Sequence, residues 1–75
     1  MDEKFKTLIV EALELDDISL VEDLKLNPEE NWDSISLLSV ISEIDNQYAL
    51  QLDADELASC TSPSEIYALI GNNKN

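Results

Sequence analysis

The chain has no histidine and no arginine, and it contains only one glycine, one cysteine and four lysines. Without histidine it lacks the usual general base for neutral pH. Cys60 alone cannot form an internal disulfide or, with no histidine to join it, a zinc site, and its solitary state fits a reducing compartment. Gly71 alone cannot build a glycine-rich phosphate loop. No apolar run approaches the ~20 residues that cross a bilayer. The start at Asp2-Glu3 lacks the basic and apolar regions of a signal peptide, so the expectation is a cytoplasmic protein with no membrane insertion. Carboxylates remain as possible catalytic groups, but 75 residues leave little room for a deep, water-excluding cleft. The acidic runs also lack the calcium-loop pattern with its central glycine. The expectation is therefore no catalytic residue and no metal site.

What the chain does have is negative charge. Its 17 acidic residues against four lysines give a formal charge of −13. That field repels nucleic-acid phosphates and anionic lipid and attracts basic protein surfaces. Hydrophobic residues make up 44% of the sequence and recur at helical spacing, so the chain should fold despite its charge. Its length allows one domain, 1–75, with a modest core, expected to be monomeric.

Apolar spacing from Phe5 through Leu8, Ile9, Ala12 and Leu13 predicts a first helix over 2–14. Residues 16–33 carry Asp16-Asp17, Glu22-Asp23, Asn27-Pro28 and Glu29-Glu30, and read as a long loop. Ile18, Leu20, Val21, Leu24 and Leu26 should pin it to the core, with one short turn over 20–24. A second helix is predicted over 34–48, its core stripe being Leu37, Val40, Ile41, Ile44 and Tyr48. Ile35 and Leu38 fall outside that stripe, as exposed apolar residues beside Ser34. Asp53-Ala-Asp-Glu56 predicts a short third helix ending near Ser59, anchored by Leu57. Ser62-Pro63-Ser64-Glu65 opens the fourth, with Ile66, Leu69 and Ile70 as its buried edge, Gly71 as its stop and 72–75 as a flexible tail. The fold class is all-α: a small four-helix bundle with a long loop between helices one and two and a short third helix.

Asp33, Ser34 or Ser36 can each cap the second helix. The run Trp32-Asp-Ser-Ile-Ser-Leu-Leu-Ser-Val-Ile-Ser-Glu-Ile-Asp-Asn-Gln-Tyr48 also resembles the Asp-Ser-Leu segment of acyl carrier proteins, with Ile35 in the place of leucine. Glu43-Ile-Asp-Asn-Gln-Tyr48 and Thr61-Ser-Pro-Ser-Glu-Ile66 extend the likeness, which covers about Phe5 to Ile70. The resemblance implies an acyl-carrier bundle with 4′-phosphopantetheine esterified to Ser34, and an acyl or related acid held on it as a thioester. Implied partners are a phosphopantetheinyl transferase, an acyl-loading ligase or transferase, and acyl-processing enzymes with basic docking patches. Ile35, Leu38, Asp33, Glu43 and Asp45 would face those enzymes. Val40, Ile44, Leu57 and Ile66 would line a cargo pocket.

Trp32 stands where glycine or alanine usually precedes the motif, and Ser36, Ser39 and Asn46 stand where acids are expected. Both departures favour a specialised carrier over one serving all of fatty-acid synthesis. Trp32 is read as a packing residue whose exposed edge could still touch an enzyme, and Cys60 as a small buried apolar residue. The alternative function is a cofactor-free acidic helical module, an adaptor or inhibitor that covers a basic partner.

Overall fold

Asp2 is the cap of the first helix, not its first residue. In the computed structural model, which describes residues 2–73, Asp2 is extended and its carboxylate accepts the Phe5 N–H at 2.8 Å. Helix α1 then spans Glu3–Leu13. It ends at Glu14, whose φ of 54° is left-handed, while the Leu15 N–H closes back on the Val10 carbonyl. Glycine is the usual residue at such an end, because a β-carbon makes the left-handed region costly.

Asp2 also reaches beyond its own helix. Its two carboxylate oxygens accept the Tyr48 hydroxyl at 3.5 Å and the Tyr67 hydroxyl at 3.3 Å. Lys4 lies 4.4 Å over the Tyr48 ring and Phe5 packs against the Tyr67 ring. The Phe5 N–H, aided by the two hydroxyls, holds the Asp2 carboxyl below its ordinary 3.8, while burial and that carboxylate push the Tyr48 phenol up to about 12. A carboxyl depressed in the folded state contributes fully above its unfolded pKa and loses that contribution as pH falls through the folded value. Asp2→Asn keeps an acceptor but removes the charge. It should therefore be less stable than the parent at neutral pH, with the gap closing in acid below 3.8. Denaturant melts of the two proteins at matched pH values check this, and a gap that ignores pH would show that the charge is not used.

The long loop is anchored as expected, with one exception. It contains a single helical turn, α2 at Leu20–Asp23. Val21 and Leu26 are buried and Ile18 and Leu24 half-buried, but Leu20 is 46% exposed, so it does not pin the loop. A turn this short has one inward position, and Val21 fills it. The Leu26 N–H bonds the Thr61 carbonyl at 2.9 Å, and Lys6 pairs with Glu22 at 2.8 Å.

Helix α3 spans Ser34–Tyr48, α4 Ala54–Ala58 and α5 Pro63–Asn73. Glu65 reaches back to accept both the N–H and the hydroxyl of Thr61, so its box closes one residue earlier than the Ser62 start implies. Gly71 does not stop α5. Its φ is not positive, and the helix runs two residues past it. Of the tail expected at 72–75, residues 72 and 73 are helical, and 74–75 lie outside the described residues.

Packing runs chiefly between α1 and α3 and between α3 and α4, with α2 against α1 and α5. Phe5, Leu8, Ile9, Val21, Trp32, Val40, Ile44, Leu57 and Ile66 belong to one buried cluster. Each such side chain contributes ~1.5–3 kcal/mol through burial. The described residues are all-helical, and α2 is the short turn inside the loop, so the four principal helices are those read from the sequence.

Candidate functional site

The site begins with how α3 starts. Asp33 is extended and its Oδ1 accepts the Ser36 N–H at 2.9 Å, which makes Asp33 the cap and Ser34 the first helical residue. The Ser36 N–H, with its hydroxyl, holds the Asp33 carboxyl below its usual value, so the group next to Ser34 is ionised at neutral pH. Ser34 itself is exposed, and among the described residues no hydrogen bond engages its hydroxyl. The hydroxyl stands free at the head of a 15-residue helix. Backbone N–H groups and the positive end of the helix dipole make that a favourable place for an anion. A phosphoryl ester on Ser34 would find there partial compensation for the Asp33 charge. The residues present therefore fit a phosphodiester, and they supply no base of their own.

Trp32 fixes the approach to this helix. Its side chain is 2% exposed and its indole N–H donates to the Leu57 carbonyl in α4 at 2.9 Å. The packing role read from the sequence holds. The exposed edge does not, because the ring is enclosed and offers a partner almost nothing.

On the outer face, Ile35 is 75% and Leu38 63% exposed, as expected from their angular positions. Both line an open groove of about 690 Å³ that α3 shares with the end of α1. Ser36, Ser39, Ser42 and Glu43 continue its α3 side, and Glu11, Ala12, Leu13 and Glu14 form its α1 side. Asp45 is exposed but does not line the groove. The α1 side was missed in sequence because those residues belong to an amphipathic helix whose apolar positions read as core. Its only local signal is the end of α1 at Glu14, and the absence of glycine there hides even that.

Val40, Ile44, Leu57 and Ile66 come together, but each has 0% exposure, so what they form is closed core. Cys60 is buried, and burial, with Glu65 and Glu56 nearby, pushes its thiol up. It therefore stays a protonated thiol, in keeping with a packing role. Among the described residues no group of three or more His, Cys, Asp or Glu side chains is placed to hold a metal ion. No helix there is long and apolar enough to cross a membrane.

A protein-family model described as "Phosphopantetheine attachment site" matches residues 3–70. Comparison with curated proteins and with solved structures returned no match.

Proposed function

The chain belongs to the phosphopantetheine attachment-site family, that of the acyl carrier proteins, and we propose that Ser34 is its attachment residue. The single observation that carries the assignment is an exposed, unengaged hydroxyl at the first residue of α3, behind the Asp33 cap. In the attachment step the Ser34 oxygen gains a bond to phosphorus and gives up its proton to the transferase, and the nucleotide half of coenzyme A leaves. Ser34 supplies position, and the enzyme supplies activation. When bound, the 4′-phosphopantetheine of this family supplies a terminal thiol that holds cargo as a thioester.

The chain's own residues would then present that cargo. The N-terminus of α3, set by the Asp33 cap, would hold the phosphodiester against the Asp33 charge, Trp32 fixes the preceding loop, and the exposed Ile35 and Leu38 offer an apolar contact beside it. Among processing enzymes, brief docking that places the thioester at the chemistry is enough. A cargo chain enters the interior only by parting Val40 and Ile44 of α3 from Leu57 and Ile66. Each methylene buried there contributes up to ~0.8 kcal/mol, which must offset the packing it displaces. The closed core and the serines on α3 support a dedicated, specialised acid over the growing chains of fatty-acid synthesis.

Incubation with coenzyme A and a broad-specificity phosphopantetheinyl transferase should add one phosphopantetheine, mapped by peptide mass to Ser34. Intact mass of the protein from its native cell would then identify the acid. An unmodified chain sinks the attachment assignment, and a ladder of long acyl masses sinks the specialised cargo.

A further inference from the structure

We propose that the groove between α1 and α3 is the resting place of the chain's own phosphopantetheine arm, which lies along the Ser39 and Ser42 hydroxyls instead of entering the interior against α4. The arm is that of the attachment reading, on which this placement rests. Asp2, the cap of α1, meets Tyr48, the last residue of α3, so the two packed helices run antiparallel and the end of α1 lies beside the start of α3. The groove therefore begins next to Ser34, at Ile35 and Ser36, and runs down α3 to Ser42 and Glu43. From Ser34 to Ser42 is ~12 Å at the helical rise. Pantetheine, with its pantoate, β-alanine and cysteamine units in a row, is roughly as long as five extended residues, so it spans that run.

The lining suits this occupant. Ser39 and Ser42 both line the groove, Ser39 half-buried, and among the described residues neither hydroxyl makes a hydrogen bond. Ser59, by contrast, turns its hydroxyl onto the Asp55 carbonyl at 3.1 Å. A hydroxyl kept partly out of water without a partner favours any occupant that hydrogen-bonds it. The amide carbonyls of pantetheine accept from such hydroxyls, and its amide N–H groups find acceptors in Glu11, Glu14 and Glu43, none of which has a cationic partner among the described residues. Its paired methyl groups match the exposed Leu38 and the half-buried Leu13.

Charge and tether select the arm over other occupants. Below its phosphate the arm is uncharged, so the formal −13 does not repel it, whereas a second copy of this chain or an anionic lipid is repelled. Attachment at Ser34 supplies an effective concentration on the order of millimolar, so weak contacts suffice. The other bed, between α3 and α4, is filled: Val40, Ile44 and Leu57 have 0% exposure, and entry there must displace close packing.

The test compares isotope-labelled protein by NMR before and after phosphopantetheine is added. Amides next to Ser34 shift wherever the arm goes, so the diagnostic ones are Glu11 to Glu14 on α1 and Ser42 and Glu43 on α3. These should shift, and Overhauser contacts should join the arm's methyl groups to Leu13 and Leu38. Ser39→Ala with Ser42→Ala should cut the α1 shifts several-fold, with circular dichroism unchanged because alanine is the better helix former. Leu38→Ala should act likewise, its side chain being largely exposed, and Asp45→Asn, outside the groove, should change nothing. Free pantetheine added to the Ser34→Ala protein should shift the same α1 amides, but only in the millimolar range that the tether otherwise supplies. Shifts confined to Asp33 to Leu37, or centred on Leu57 and Ile66 instead of α1, would overturn the proposal. So would indifference to the double serine variant. No addition at Ser34, with free pantetheine still marking α1, would remove the attachment reading alone. Addition at Ser34 with α1 silent would remove this inference alone.

Discussion

Ser34→Ala should abolish the addition of phosphopantetheine outright while leaving the protein folded. The helix loses nothing by the change. Asp33, not Ser34, caps α3, and no hydrogen bond engages the Ser34 hydroxyl among the described residues. Alanine is also the better helix former. Stability should stay within ~0.5 kcal/mol of the parent, as for other surface substitutions. Three further serines follow on the same helix: Ser36 is half-buried with its N–H and hydroxyl turned to the Asp33 carboxylate, Ser39 is also half-buried, and Ser42 is exposed but lies two turns in from the helix start. None offers the transferase a free oxygen at the head of the helix. Intact mass and peptide mapping check the result, and any addition that survives in the alanine variant, at Ser36 or Ser39, would reassign the site.

The second large effect is structural. Trp32→Ala should cost ~3–5 kcal/mol, the range for emptying a buried aromatic position. At ~0.05–0.15 kcal/mol per residue, the total for a chain this short is of the same order. The variant should therefore be largely unfolded, or fold with a strongly lowered denaturation midpoint. Trp32→Phe separates the two contributions. It keeps most of the volume and removes only the N–H that reaches Leu57. The Leu57 carbonyl still receives the Cys60 N–H at 3.0 Å, so the phenylalanine variant should lose only about 1 kcal/mol beyond its small change in volume. Urea melts of the three proteins check both, and an alanine variant as stable as the parent would mean that the indole is not a core member.

Much of this could be seen in the sequence because it depends on local rules. The start and end of α3, and the exposure of Ile35 and Leu38, follow from 3.6-residue periodicity. Ser62-Pro63 marks the start of α5. What stayed hidden depends on partners distant along the chain. The Trp32 indole meets a carbonyl 25 residues away, and Asp2 meets Tyr67 from 65 residues away. The extension of α5 through Gly71 is a failure of a different kind: glycine permits a left-handed stop but does not impose one. Glu14 is the converse, a left-handed residue where no glycine announces it. The family motif pointed to Ser34 as the residue to propose. The free hydroxyl and the groove beside it required the packing of α1 on α3.

Trp32 is the chain's only tryptophan, and its position gives the protein a built-in optical probe. The indole lies two residues before Ser34 in sequence, shut away from water and tied to α4. Its emission therefore reports whether the loop leading into α3 and the short α4 stay together. Attachment of an arm that remains outside should leave the emission maximum where it is. Any cargo that pries α4 away to reach Leu57 would admit water to the ring and shift the maximum to the red, in an unlabelled protein.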